Sequence, residues 1–247
     1  MKRLLFTLIL TFTAVMAWSQ VPNEEDILRK TMDNRSPYYY TSLMMRYNNL
    51  EQLSIEDYHY LYYGFTYQED YRPTASNNAL DELYVLLPHI NVNSSDRKDL
   101  ENLIFTCKDV LRLDPFNLTA LNMMVFAYGA MGDKTTERAY YRHLHGIMET
   151  IKASGDGRSE KYPMHIIMFS HAIDLLSSMG MAAKRGEIIS RDVEYVPLLA
   201  PHKTPDGKKI RGLYFDYSRI YRNKTDDVTF EKKRTWQFNG LKPKEYK

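Results

Sequence analysis

The sequence predicts an α+β protein, with antiparallel helical hairpins first and a small antiparallel β-sheet last. Three observations carry that reading. Residues 96–131 read DRKDLENLIFTCKDVLRLDPFNLTALNMMVFAYGAM, two amphipathic runs around a Leu-Asp-Pro-Phe-Asn break. The stripe resumes after Asp133 through Tyr140, Leu144, Ile147, Met148 and Ile151. From Glu187 onward the pattern shifts toward alternation, in EIIS, DVEYVPLL and IRGLYFDYSRIY.

The first nineteen residues are MKRLLFTLILTFTAVMAWS. Lys2 and Arg3 give a positive start, Leu4 to Val15 an apolar run too short to span a bilayer, and Ala17-Trp18-Ser19 a small-x-small cleavage signal. The expectation is a secretory signal peptide over residues 1–19, a mature chain from Gln20, and no transmembrane segment after cleavage. The leader's style points to a Gram-negative cell envelope, so the protein is expected to be secreted or periplasmic.

Helix signals then follow in order. Pro22 to Met32 is a short helix with acids in its first turn. Ser36-Pro37 offers a cap followed by proline, opening a helix through Leu50. Ser54 with Asp57 opens another to Tyr67, and Ser76 or Asn77 a fourth that Pro88 stops. In the central hairpin Leu100, Leu103, Ile104, Cys107 and Leu111 share one face. Pro115 ends that helix, Asn117 caps the next, and Met131-Gly132-Asp133 closes it. Links this short force neighbouring helices to lie antiparallel. The next helix carries His143 and His145, which point about 200° apart and so do not share a metal; both are expected at the surface. Cys107, the only cysteine, lies on an apolar stripe and is expected to be buried filler with no disulfide partner.

At Ser154-Gly155-Asp156-Gly157 the chain turns and changes character. The turn lacks the Gly-Lys-Ser/Thr ending of a phosphate loop and the distal Glu of a calcium loop. Met164 to Phe169 reads as a strand and Ala172 to Met179 as a helix ended by Gly180. Glu187 to Leu199 and Ile210 to Arg222 form an antiparallel pair around Pro205-Asp206-Gly207-Lys208, where proline presets one corner and glycine the left-handed one. Four regions result: leader 1–19, helical hairpins 20–153, a mixed strand and helix region 154–222 packed on them, and a polar basic tail 223–247 anchored by Trp236 and Phe238.

The precursor holds 33 basic and 31 acidic residues. Without the leader the balance is neutral, with net +7 from Lys203 onward offset by −7 on residues 20–202. A neutral chain has little electrostatic pull on nucleic acid, which is excluded as a partner.

Tyr60, Tyr63-Gly64, Tyr67 and Pro88 meet the tetratricopeptide spacing, although Tyr63 stands where that pattern has Leu. Leu121, Met124, Tyr128 and Gly132-Asp133 add a second partial unit, so residues 55–153 resemble tetratricopeptide-like hairpins. The family's small alanine is replaced by Ser76 in one unit and Glu137 in the other. Over nearly the whole mature length the chain resembles a family of uncharacterised secreted bacterial proteins, filed as a domain of unknown function. The likeness rests on the leader, the Tyr-rich helical half, the Ser154-Gly155-Asp156-Gly157 turn, MHIIMFSHAIDLLSSMGM and GLYFDY. It implies no activity, substrate or cofactor.

Ten of the twenty tyrosines lie between Tyr38 and Tyr71. Such rings can form a recognition surface, or can pack between helices with their hydroxyls outward. The expected function is a non-enzymatic binding or assembly role with a protein or peptide partner in the cell envelope. The aromatic residues offered for it are Tyr58, Tyr62, Tyr67 and Tyr71. No catalytic residue, cofactor or metal ligand is predicted. The alternative is a secreted hydrolase of glycan or peptidoglycan, which needs two convergent carboxylates. Asp70, Asp156 and Glu194 are no better placed for that than other acids, and no nucleophile elbow or His-Glu-x-x-His is present.

Overall fold

Side-chain caps set the starts of five helices. A computed structural model describes residues 21–90, 96–204 and 207–222. Asn23 caps α1 (Glu24–Met32), Ser54 and Asp57 cap α3 (Ile55–Gly64) reciprocally, and Asn77 caps α4 (Asn78–Leu86). Asn117 caps α6 (Leu118–Ala130) and Asp133 caps α7 (Lys134–Ala153). Each such bond satisfies a backbone N–H that the helix cannot, contributing about 1 kcal/mol. α5 runs Arg97–Leu113 and α8 Ser170–Ser178. α2 (Tyr40–Asn48) starts later than Ser36-Pro37 predicts. The Ser36 hydroxyl accepts from Tyr38 N–H and its carbonyl from Tyr39 N–H, so the pair forms a turn instead of a cap. Likewise α3 stops at Gly64, and Phe65–Tyr67 tightens into a 3₁₀ turn.

Three helices end in the same left-handed device. At α6 and α8 the residue with positive φ is Gly132 or Gly180, and the residue after it donates back to Tyr128 or Leu176. At α2 the same pair of bonds, Leu50 N–H to Tyr47 and Glu51 N–H to Arg46, forms around Leu50 at φ 59°. A leucine there is strained by about 1 kcal/mol or more. Its side chain lines a small pocket of about 220 Å³ with Leu111 and Tyr140.

α3 is the buried axis. Every residue from Tyr58 to Gly64 is buried, and the helix packs on α1, α2 and α7. It crosses α7 closely enough that a Cβ on Gly146 would lie 2.3 Å from the Tyr58 ring. α4, α5, α6 and α7 pack in succession, with α5–α6 and α6–α7 as the short-linked hairpins. The unit Tyr60 to Pro88 is not a hairpin: α3 packs on α1, α2 and α7, and α4 packs on α5. α6 divides the interior. Leu118 and Leu121 face the main core, while Ala120, Met124 and Ala127 face a second cluster with Leu83, Leu103, Cys107 and Val110. Cys107 is the predicted filler, its thiol pushed up to about 12 by burial.

The main core continues from the helices into the last third through Ile166, Ile167, Leu175, Val196, Leu213 and Phe215. The predicted pair is present: β3 (Val193–Lys203) runs antiparallel to β4 (Lys209–Asp216), with a register shift between Pro197 and His202. Gly207 takes the left-handed corner; Pro205 and Asp206 lie outside the described residues. β2 (Glu187–Ile188) adds antiparallel to β3. The expected Met164–Phe169 strand shrinks to β1 (Met164–His165), and it pairs parallel with β4, which makes the sheet mixed. The ladder closes with the Ile166 N–H donating to the Asp216 carbonyl, and the Ile166 and Ile167 side chains are both buried in the core. β4 ends at Asp216, which accepts from Ser218 N–H, and the chain turns into α9 (Ser218–Arg222) rather than continuing as strand. The Ser154–Gly157 turn is a joint. The Ser154 hydroxyl accepts from His165 N–H, and the Gly157 carbonyl accepts from Tyr214 N–H on β4.

α9 returns to α1. Buried Arg219 bonds to the Glu24 carboxylate and the Pro22 carbonyl, and Arg222 to Glu24 at 2.9 Å. Among the described residues no helix is long and apolar enough to cross a membrane. The expected leader and the Trp236 and Phe238 anchors lie outside the described residues.

Candidate functional site

A cleft of about 910 Å³ lies where α4, α6, α7 and α8 meet. Helical periodicity builds it. Tyr141, Leu144, His145 and Met148 recur at i, i+3, i+4 and i+7 along α7, so one stripe of that helix forms a wall. α6 gives Leu118, Thr119 and Asn122 from its first two turns, and α4 with its 3₁₀ extension gives Tyr84 and Leu87. α8 contributes Ile173 and Asp174 with Ser177 and Ser178 one turn later. Tyr84, Tyr141 and Ile173 are 46%, 55% and 43% exposed, large apolar groups left open to solvent around one concavity.

Asp174 is the one carboxylic acid in that lining. Its Oδ1 accepts from the Thr119 hydroxyl at 3.1 Å. Its Oδ2 is shut off from water and makes no hydrogen bond among the described residues. Burial raises the Asp174 pKa above the ordinary carboxylate value; His171, Thr119 and Ser170 offset only part of that rise, and Asp114 adds to it. Behind it, His171 is fully buried, with Nδ1 2.7 Å from the Tyr62 hydroxyl and an unbonded Nε2 3.6 Å from Asp114. Asp114 in turn accepts from Asn117, the cap of α6. The cleft thus combines apolar walls, two exposed phenol rings and one incompletely bonded carboxyl, an arrangement suited to holding a ligand of drug or short-peptide size. Among the described residues no group of three or more His, Cys, Asp or Glu side chains is placed to hold a metal ion.

A family model described as a domain of unknown function, DUF4919, matches residues 25–226. The chain belongs to this family. No curated protein and no solved structure matches it. The matched span of the DUF4919 domain takes in nearly all of α1, all of α2 to α9, the sheet and the cleft.

Within the DUF4919 domain the four predicted tyrosines do not share an open face. Tyr58 is buried, its hydroxyl 2.7 Å from His143 Nδ1. His143 Nε2 lies 2.9 Å from the Tyr47 carbonyl, which can only accept, so Nε2 carries the proton and Nδ1 accepts from Tyr58. Tyr62 is buried against His171, and buried Tyr71 donates to the Ile167 carbonyl at 2.6 Å. Tyr67 is half-buried and bonds Glu24. These phenols strut the core; their hydroxyls turn inward to polar partners, where the packing alternative put them at the surface. His143 is likewise corrected from surface to core, whereas His145 is exposed and lines the cleft. Asp70 and Asp156 are exposed, and Glu194 accepts from Tyr221, so those three acids do not converge on a common site.

Sequence reasoning missed Asp174 because SHAIDLLSS shows only a short amphipathic helix. The available signal was an acid directly after Ile173 on a face that also carries Ser177, a mixed stripe beside a fully apolar one. The Tyr84 and Tyr141 rings come from helices far off in sequence, so only the fold brings them to Asp174.

Proposed function

We propose that the chain is a non-enzymatic binding protein of the cell envelope whose α4/α6/α7/α8 cleft receives a peptide segment of a partner protein. The observation that carries this is the cleft itself: about 910 Å³, walled by the apolar stripe of α7 and rimmed by exposed Tyr84, Tyr141 and Ile173. Its single carboxyl gives the occupant a chemistry to match. The export signal supports the location, through Lys2, Arg3, the Leu4–Val15 run and Ala17-Trp18-Ser19.

The test is binding of purified residues 20–247 to an array of synthetic hexapeptides, with Met148→Arg as the cleft variant and Tyr67→Phe as a control outside it. Binding lost in the first and kept in the second is the expected result. Peptides that bind equally to both variants overturn the cleft as the docking place. A second reading, hydrolysis of glycan, draws on the raised Asp174 carboxyl, the state a general acid needs. It lacks a second acid in the cleft lining, and Asp174→Asn abolishing cleavage of purified peptidoglycan would establish it.

A further inference from the structure

The unbonded Asp174 oxygen narrows what the cleft accepts. Oδ1 accepts from Thr119 and Oδ2 is closed to water, so a ligand engages the carboxyl as the Asp174 side chain turns toward the cleft. A carboxylate withdrawn from water without a partner is costly, and the groups around it do not remove the cost. Tyr84 from α4, Tyr141 and His145 from α7, and His171 and Asp114 behind α8 supply no lysine or arginine, and none lines the cleft. His145 is engaged with Glu149 at 3.6 Å. An incoming cation therefore meets no lysine or arginine in the cleft lining, and residues 20–202 as a whole carry net −7. The Tyr84 and Tyr141 rings are exposed at the same opening, and phenol faces attract cations. Leu118, Leu144, Met148 and Ile173 offer an apolar wall for an aliphatic stem.

We infer that the cleft selects a lysine-type side chain of the partner peptide, its ammonium group bonding the Asp174 carboxyl turned toward the cleft and its methylene stem lying on the apolar wall. This rests on the reading of the cleft as a peptide site and adds the charge of the residue it takes. Asp174 is then the specificity-determining residue and Thr119 the group that orients it.

Three isosteric probes separate the charge from the cleft: n-hexylammonium, n-hexanol and hexanoate, titrated at neutral pH and read by NMR at the Met148 and Ile173 methyls. A charge-assisted bond at a buried carboxylate makes hexylammonium bind about tenfold tighter than hexanol, with hexanoate weakest. Asp174→Asn is close to isosteric and keeps an acceptor for Thr119. It brings hexylammonium down to the level of hexanol and leaves hexanol unchanged. Equal binding of amine and alcohol to the parent protein overturns the cation selectivity while the cleft reading stands. An amine preference that survives Asp174→Asn overturns the assignment to that residue. No binding of any probe in the millimolar range removes both readings.

Discussion

His59 and His143 are buried imidazoles, and burial drives both from the ordinary value of 6.5 to about 4. Arg219 adds to the effect at His59; at His143 burial outweighs the bond to the Tyr47 carbonyl. A folded pKa below the unfolded one means that the unfolded chain holds the proton more tightly. Stability is therefore complete above pH 6.5 and is lost as pH falls toward 4. A fall from 6.5 to about 4 corresponds to about 3 kcal/mol per ring, a large part of a domain's net stability. Asp26 and Asp216 act in a lower window. Burial raises each, but their bonding partners together bring both from 3.8 to about 2, so their contributions vanish only below pH 3.8. Asp174 has the opposite sign: its raised pKa makes its charge a cost as pH rises. His59 permits a clean test because its ring contacts are the edges of Tyr60 and Tyr63, which phenylalanine can also make. His59→Phe is expected to lose about 3 kcal/mol less than the parent between pH 6.5 and 4, measured by urea unfolding at a series of pH values. Parallel stability curves for the two proteins would sink the linkage.

At the scale of elements, α3 and α7 cross in close contact in the interior. Gly146 has no room for a side chain: a Cβ would stand 2.3 to 2.5 Å from three atoms of the Tyr58 ring. That ring cannot swing away cheaply, because its hydroxyl is held by His143 one turn before Gly146 on the same helix. Gly146→Ala is accordingly expected to destabilise by about 1–3 kcal/mol despite alanine's better helix propensity. Tyr58→Leu in the same background should recover part of the loss, and equal stability of Gly146→Ala and parent would show that the crossing has slack. The helices themselves were legible because their signals are local: Ser54 and Asn117 cap as their positions predict, Asn77 starts α4, and Gly132 and Gly180 end helices as their positions predict. What was not legible depended on distant chain. Met164 and His165 look like the start of a longer strand, but their ladder partners are Phe215 and Asp216, about fifty residues on. α3 carried a cue of its own, since IEDYHYLYYG has aromatic rings on every side and a helix apolar all round is an interior helix.

For the whole molecule, the cleft and the two ends of the fold show why function was harder to read than architecture. Asp174 acquires its meaning from Thr119, Tyr84 and Tyr141, on three other helices, and no spacing rule links them. The closure of the fold is equally non-local. Arg219, 3% exposed, reaches Glu24 and Pro22 almost two hundred residues earlier, lies 3.2 Å from His165 Nδ1 on β1, and stacks over the Tyr63 ring of α3 at 5.0 Å. Four elements therefore depend on one guanidinium. Burial raises the Glu24 pKa, yet Arg219, Tyr67 and Arg222 outweigh it and hold the carboxyl below its ordinary value, so the pair is ionised. Removing one partner of a buried ion pair costs about 3–5 kcal/mol, but water reaches Glu24, whose side chain is 39% exposed, and screens part of that. Glu24→Gln is expected to cost about 1–3 kcal/mol. Arg219→Met removes the charge while keeping a stem over Tyr63, so Glu24→Gln/Arg219→Met should be more stable than the sum of the single losses predicts. Amide exchange in α1 reports where the effect acts: the clasp requires faster exchange over Glu24–Met32 in both single variants, with α5 unchanged. Strictly additive losses, or α1 amides as protected as in the parent, would mean that α1 is held by Ile27 and its apolar contacts and that the ion pair is incidental.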